Sequence, residues 1–309
     1  MSRETDRVMK EVHKFLTENV TGDMSREQID ALLEPHLAQI NARVPKELTE
    51  ETAVTADDLV ELAEKKLDEG DEQGALRLAR KALKMDPDHL DAEMIVLNGE
   101  SDDPETFLTR LRQLTDKGKL SLQKQGFFDE DCIGKFWQIL ETRPYIRLKA
   151  QYAFALMEIG KIRAAAREAE EIIALNNDDN MGNRFFLMHL YAFLEDAQGA
   201  ERLMSRYGDI DEGGMLLPIT LMYYKLGDTA RAEKYLRRLV KSNKETKAFV
   251  RDVFGGITEK LAAAVDERGG YVPFTEEELA CFCDEYIRIY DSAPYFFNWV
   301  AKELKIQRG

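Results

Sequence analysis

The residue types that most often carry chemistry are few in this sequence, and none of them forms a recognisable site. The three cysteines are too few and too irregularly spaced for a disulfide framework, and Cys281 and Cys283 would point in different directions from one helix. The four histidines lie at neither helical nor turn spacing from these thiols, so we predict no metal site and expect buried structural cysteines. The remaining residues of these two types are Cys132, His13, His36, His89 and His189.

Catalytic signatures are missing from the local sequence. No Ser–His–Asp or Cys–His arrangement is visible, although a triad assembled from distant residues stays open. The glycine pairs Gly213–Gly214 and Gly255–Gly256 have neither the spacing nor the lysine of a phosphate-binding loop. We therefore predict a protein that is not an enzyme, with no catalytic residues and no cofactor.

Charge and composition limit the classes of partner that the chain can bind. The 309 residues include 43 Lys and Arg against 58 Asp and Glu, a net charge of −15, which repels nucleic acid and anionic membranes. A basic or amphipathic protein segment is favoured as a partner, and the alternative is an acidic surface that only keeps the protein soluble. Residues 1–10 do not resemble a signal peptide and no apolar run approaches roughly 20 residues, so we predict a cytoplasmic location.

The elements that must position any site are helices arranged in pairs. From Asp57 onward, helical periodicity alternates with short turns, and small residues or proline recur at fixed places. In the first pair these are Ala63, Gly70, Ala75, Ala82 and Pro87. This spacing, with a period of about 34 residues, resembles the tetratricopeptide pattern. We predict an all-α, tetratricopeptide-like solenoid of helical hairpins, with helical caps at its N- and C-termini.

Three regions follow from this pattern. Residues 1–50 are predicted as an N-terminal helical hairpin, with helices from Arg3 to Asn19 and from Ser25 to about Arg43. The repeat region covers residues 51–246, with units at about 56–89, 146–179, 180–210 and 213–244 and a less regular helical segment at 100–145. Residues 247–309 form a helical cap, in which Thr275 to Glu278 is predicted as a capping box that opens a helix to about Tyr290.

Two stretches carry a more specific resemblance. They are Gly126 to Asp131 followed by Phe136, Trp137 and Glu141 to Arg147, and then Asp178 to Phe185. These stretches resemble a set of uncharacterised bacterial tetratricopeptide proteins with an Asn-Asp-Asn-Gln-Gly-x-Arg-Tyr signature, similar to the repeat region of animal suppression-of-tumorigenicity proteins. Met181 replaces the glutamine and Phe185 the tyrosine of that signature. The resemblance extends over about Asp57 to Leu304 and implies a repeat scaffold without a known activity.

The first helix of each pair lines the concave groove in such solenoids, and this groove is the predicted binding site. Its lining is rich in aromatic and aliphatic side chains, as peptide-binding grooves tend to be. The candidates are Arg147, Phe154, Met157, Phe185, His189, Phe193, Leu217, Leu221 and Tyr224. Two alternatives remain open: these side chains belong to the core between repeats, or the C-terminal helices fold over them.

Arginines near the signature allow two interpretations. Arg143, Arg147 and Arg184 could bind a carboxylate or phosphate of an acidic partner, or they could pair with acids of the chain itself. The sequence thus favours a bacterial protein- or peptide-binding scaffold. The alternatives are a secretion or assembly chaperone for an apolar client segment and a peptide-sensing regulator. The regulator is disfavoured because residues 1–50 hold seven Lys or Arg against ten Asp or Glu. A homodimer stays open.

Overall fold

The computed structural model describes residues 8–9, 12, 15–16, 18–20, 24–43, 48–100, 103–268 and 270–306. Within these ranges the chain is helical and forms no β-strand, so the all-α prediction is confirmed. None of the helices described there has both the length and the apolar character needed to span a membrane. The predicted start of the first helix at Arg3 lies outside the described residues.

The chain divides into two compact units, residues 1–155 and 156–309. The N-terminal unit contains α1 (Arg26–Arg43), α2 (Ala56–Asp68), α3 (Glu72–Met85), α4 (Leu90–Glu100), α5 (Pro104–Lys124), a short 3₁₀ turn (Leu140–Thr142) and most of α6 (Arg143–Glu158). Ser25 and Gln28 form a capping box at the start of α1, where the sequence predicts that this helix begins.

The C-terminal unit begins with a group of successive helices in hairpin order and ends with a helical cap. The first group is α7 (Ile162–Leu175), α8 (Asn183–Leu194), α9 (Ala197–Tyr207), α10 (Gly213–Lys225) and α11 (Thr229–Ser242). The cap is α12 (Thr246–Gly255), α13 (Thr258–Arg268), α14 (Glu276–Glu285), α15 (Ile287–Asp291) and α16 (Phe296–Glu303). Helix α8 packs against α7, α9 and α10, and α10 packs against α11.

One local device recurs at the turn of three hairpins. The second helix begins at Asp71, Asp196 or Asp228, whose carboxylate accepts a backbone N–H three residues later. The residue that ends the preceding turn is in the left-handed conformation: Gly70, Glu195 or Gly227. An alanine follows four residues after each aspartate, and all three, Ala75, Ala200 and Ala232, are completely buried. The small side chain lets the two helices approach closely, which explains why alanine recurs in the sequence.

The C-terminal cap departs from its prediction at one end. Thr275 precedes α14 as predicted, but its side chain makes no capping hydrogen bond and donates instead to the Val272 carbonyl. The helix also ends earlier than predicted, because it breaks at Tyr286 and continues as the short α15. The cap packs back onto the hairpins through α14 against α10 and α15 against α8.

Candidate peptide-binding face

The start of α8 is fixed by Asp179, a buried residue in the left-handed conformation. Its carboxylate accepts the backbone N–H groups of Asn183 (2.7 Å) and Arg184 (3.0 Å), which have no helical carbonyl to bind. The Arg184 guanidinium donates to Asp179 (2.9 Å) and to Glu212 (2.8 Å), the residue before α10. Arg184 thereby ties the starts of α8 and α10 together. Burial raises the pKa of Asp179, and the hydrogen bonds from Arg184 oppose that rise.

The arginines predicted as contacts for an acidic partner are engaged within the chain. In the N-terminal unit Arg143 is buried, and its Nε donates to the Trp137 carbonyl at 2.7 Å. Arg147 binds the buried Asp91 carboxylate through two hydrogen bonds of 3.2 and 2.7 Å. Arg184 is shared between two carboxylates. Of the two interpretations left open for these arginines, pairing within the chain describes this structure: Arg143 binds a backbone carbonyl and Arg184 binds two carboxylates of its own unit.

The side chains predicted to line an open groove are largely covered. Four are buried, namely Met157, His189, Leu217 and Leu221. Four are half-buried, namely Arg147, Phe185, Phe193 and Tyr224, and Phe154 is 37% exposed. The buried four are not accessible to a partner in this structure. Two of the nine, Arg147 and Phe154, lie in the N-terminal unit, and the other seven in the C-terminal unit.

The C-terminal helices cover the face of α8 and α10 that carries Phe185, His189 and Tyr224, hereafter the aromatic face. Four residues at four-residue intervals, from α14, from α15 and from the break between them, make the contact: Glu278, Phe282, Tyr286 and Tyr290, hereafter the C-terminal series. The Phe282 ring lies 5.0 Å from the Phe185 ring and the Tyr286 ring stacks on His189 at 4.1 Å, measured between centroids. One of the two alternatives left open by the sequence, covering by the C-terminal helices, thus describes this structure.

His189 is the centre of this contact. Its Nδ1 lies 2.7 Å from the Phe185 carbonyl, so Nδ1 carries the proton and donates. The unprotonated Nε2 then accepts the hydroxyl of Tyr290 at 3.0 Å. The ring is completely buried, and the loss of hydration lowers the pKa of His189 to about 3. A neutral histidine is therefore part of the closed arrangement.

Glu278 binds the N-terminal end of α10. Its carboxylate accepts the Gly213 N–H at 2.8 Å and the Phe274 N–H at 2.7 Å, so one side chain satisfies two backbone donors. Glu278 is 2% exposed, and burial raises its pKa. The favourable location of a carboxylate at a helix N-terminus offsets part of this burial.

Gly214 makes room for the next residue of the series. A methyl group at this position would lie 2.6 Å from the Phe282 ring and 2.7 Å from the Phe185 ring. Both distances are well below van der Waals contact, so a side chain here would force the rings apart. Glycine at position 214 is therefore a requirement of the covered aromatic face.

The last helix covers the opposite end of the aromatic face. Tyr224 lies 5.6 Å from Phe296 and 5.4 Å from Trp299 between ring centroids. Aromatic pairs at these separations contribute about 0.5–1.5 kcal/mol each beyond the area they bury.

An apolar cavity of about 400 Å³ remains beside the aromatic face. Met157 and Phe193, two of the predicted groove residues, line it together with Ile287 of α15. Arg288 stands at its rim, where it donates to the Glu158 carbonyl at 2.6 Å. The cavity shows that α15 does not fill the predicted groove completely.

A second cleft, of about 680 Å³, lies in the N-terminal unit, and its lining includes none of the predicted groove residues. It lies between α5 and the starts of α4 and α6, and Lys117 bridges Asp88 (2.8 Å) and Glu93 (2.6 Å) at its edge. The strongly exposed Leu120 lines the cleft beside several carboxylates.

The thiols differ from one another in exposure. Cys283 is buried as predicted, and burial raises its pKa to about 12. Cys281 is half-buried, which corrects the prediction for this residue, and Cys132 is half-buried as well. Within the described parts of the chain, histidine, cysteine and carboxylate side chains form no group that could hold a metal ion.

The C-terminal series was missed at the level of sequence, although its spacing was visible there. Helical residues four apart lie on one face, so the series marks an apolar stripe with a carboxylate at its start. The sequence alone assigns such a stripe to a helix of the predicted C-terminal cap, and does not indicate which surface the stripe covers. Comparison of the whole chain with protein-family models and with curated proteins finds no match.

Proposed function

We propose that this chain is a non-catalytic helical-repeat scaffold that binds a segment of another protein. The observation that carries the proposal is the docking of the C-terminal helices on the aromatic face, through ring contacts and the Glu278 carboxylate. Helix-in-groove recognition uses the same elements, namely apolar side chains on one helical face and a receptive groove. The aromatic face has the chemistry to hold a helix from a partner in the place of the chain's own.

The proposed architecture is a tetratricopeptide-like solenoid of the kind found in the bacterial proteins that the sequence resembles. Support comes from the recurrence of one turn device at Asp71, Asp196 and Asp228 and from the packing of α8 against α10, the first helices of two successive hairpins. In the signature stretch, Asp179 and Arg184 hold helix ends. A structural role for the signature suits a scaffold.

The proposed setting is the cytoplasm, and the proposed partner is an amphipathic protein segment rather than a nucleic acid or a membrane. Three free thiols suit a reducing compartment. The net charge of −15 favours basic residues in the parts of the partner that flank the bound segment.

Photo-crosslinking in cells of the native host tests the proposal. A photoreactive phenylalanine analogue replaces Phe193 or Tyr224, two half-buried rings at the aromatic face, and in a matched control replaces the exposed Arg237 on α11. We expect one protein partner to crosslink from the two face positions and not from position 237. The additional change Tyr286→Ala, which weakens the covering helices, should raise the yield. Equal crosslinking from position 237, or no intermolecular product with Tyr286→Ala, contradicts a binding role for this face.

A further inference from the structure

We infer that the partner segment is a helix with a carboxylate and aromatic side chains at four-residue intervals, and that it binds by displacing the chain's own C-terminal series. This inference rests on the proposed function and specifies the chemistry of its site. The resident helices are the evidence, because each member of the series meets a feature of the aromatic face that accepts that residue type.

The first position of the pattern is a carboxylate. Glu278 binds the Gly213 N–H at the start of α10, where the helix dipole and unpaired N–H groups favour negative charge. This local preference is opposite to that of the chain as a whole, which is acidic. Basic residues of a partner are therefore expected beside the bound helix, and an acidic residue at its first contact.

The second position is an aromatic ring that fits above a glycine. The space over Gly214 is closed on its other side by Phe185, and Phe282 fills it. The third and fourth positions are aromatic rings that contact His189: Tyr286 stacks on the imidazole, and the Tyr290 hydroxyl donates a hydrogen bond to Nε2. The neutral imidazole thus contacts an aromatic ring and accepts a hydrogen bond from a hydroxyl at the same time.

A break in the helix is part of the pattern. Four residues turn an α-helix by about 40° beyond a full turn, so three such steps rotate the stripe by about 120°. A straight helix would carry Tyr290 away from the face that Glu278 contacts. The interruption at Tyr286, between α14 and α15, lets the last residue of the series return to His189. A matching partner has this break or uses only part of the pattern.

The resident helices set the conditions for exchange. A segment tethered to its own site has an effective concentration on the order of millimolar, so a free segment of equal affinity competes poorly. Weakening the resident contact should therefore reveal binding that is hidden in the unmodified chain. Tyr286→Ala removes the ring stacked on His189 and leaves the aromatic face itself unchanged.

The probe is a fluorescein-labelled peptide of residues 274–294, with alanine for its two cysteines, added to the full chain and followed by anisotropy. We expect saturable binding to the Tyr286→Ala chain, at least tenfold tighter than to the unmodified chain. A peptide with Phe282→Ala should bind at least tenfold more weakly, and Glu278→Gln should weaken binding severalfold. A scrambled peptide and a basic Leu/Lys amphipathic peptide of the same length are controls, and equal affinity for either one overturns the inference.

A complementary pair of changes tests the site without depending on one variant. In the Tyr286→Ala chain, Gly214→Ala should reduce affinity for the Phe282 peptide and reverse the preference, so that the Phe282→Ala peptide binds more tightly. Circular dichroism and Trp299 fluorescence in a Trp137→Phe background verify that the C-terminal unit of both chains folds. Failure of the preference to reverse shows that the peptide binds elsewhere and overturns the inference.

Two outcomes separate this inference from the proposed function. In the first outcome, a partner crosslinks at the aromatic face but the 274–294 peptide does not bind to the Tyr286→Ala chain. This outcome supports the proposed scaffold function and rejects the proposed residue pattern of the partner. In the second outcome, the peptide binds but no partner crosslinks. This outcome supports the proposed residue preference of the aromatic face and rejects its binding role in cells. Light scattering that shows the Tyr286→Ala chain to dimerise through its own C-terminal helices identifies a second copy as the occupant and also overturns the inference.

Discussion

The buried neutral His189 predicts that the C-terminal unit loses stability as the pH falls from 7 to 5. Its pKa is about 3 in the folded chain and about 6.5 in an unfolded one, so between these values only the unfolded state binds the proton. The contribution of this group is complete above pH 6.5 and decreases as the pH falls toward 3. Two pH units below 7, the loss is about 2 kcal/mol.

A local fluorescence probe isolates this effect. The chain has two tryptophans, and Trp137→Phe leaves Trp299, which packs on Tyr224, as the only reporter. Urea unfolding in this background at pH 7, 6 and 5 gives the stability of the covered aromatic face. Comparison with His189→Gln, which cannot titrate, removes the contributions of Glu278 and Asp179, whose raised pKa values act in the opposite direction.

Between pH 7 and pH 5, we expect the unfolding free energy of the chain with His189 to fall by about 2 kcal/mol more than that of the His189→Gln chain. His89→Gln in the N-terminal unit is the matched control and should leave the pH dependence at Trp299 unchanged. The same pH dependence in both position-189 chains, within about 0.5 kcal/mol, would mean that His189 titrates freely in the folded chain. The C-terminal helices would then not be closed over the aromatic face.

Three further predictions concern other parts of the chain. Arg147→Met leaves the buried Asp91 carboxylate without its bidentate partner and should destabilise the N-terminal unit by about 3–5 kcal/mol, read by Trp137 fluorescence in urea; a loss below about 1 kcal/mol refutes a buried pair. Asp228→Ala removes the N-cap of α11 and should lower stability by about 1 kcal/mol in the same assay read by Trp299, whereas Asp228→Asn should retain most of it. Cys283 should react with a thiol reagent far more slowly than the half-buried Cys281, and Tyr286→Ala should remove most of that protection; equal rates in the unmodified chain contradict its burial.

The sequence was sufficient to predict the hairpins because their determinants are local. Ala165, Ala200 and Ala232 recur at intervals of 35 and 32 residues. Ala75, Ala200 and Ala232 each follow an aspartate N-cap by four residues. A small residue beside a helix cap lets the two adjoining helices approach closely, and this effect does not depend on distant residues. The period of the alanines therefore carried the prediction of paired helices without information from distant residues.

The covering of the aromatic face could not be predicted in the same way, because it depends on distant parts of the chain. His189 and Tyr290 are 101 residues apart, and the periodicity of either segment does not indicate that it contacts the other. An apolar stripe on α8 has the same sequence appearance whether a partner or the chain's own helix covers it. The arginines of the signature presented the same ambiguity, which only the positions of Asp179, Glu212 and Asp91 resolved.

The proton linkage of His189 provides a last prediction, which joins its titration to peptide exchange. In the unmodified chain, a bound peptide replaces helices that also keep His189 neutral, so exchange takes up no net proton. In the Tyr286→Ala chain the face is more open, and a peptide that binds at pH 5 must expel the proton that the exposed imidazole has gained. Affinity for the 274–294 peptide should therefore fall by up to about 30-fold between pH 7 and pH 5 in the Tyr286→Ala chain and change little in the unmodified chain. Adding His189→Gln to the Tyr286→Ala chain should abolish the fall. If the fall persists with glutamine, the proton responsible belongs to another group, and the peptide does not close over His189 as the chain's own helices do.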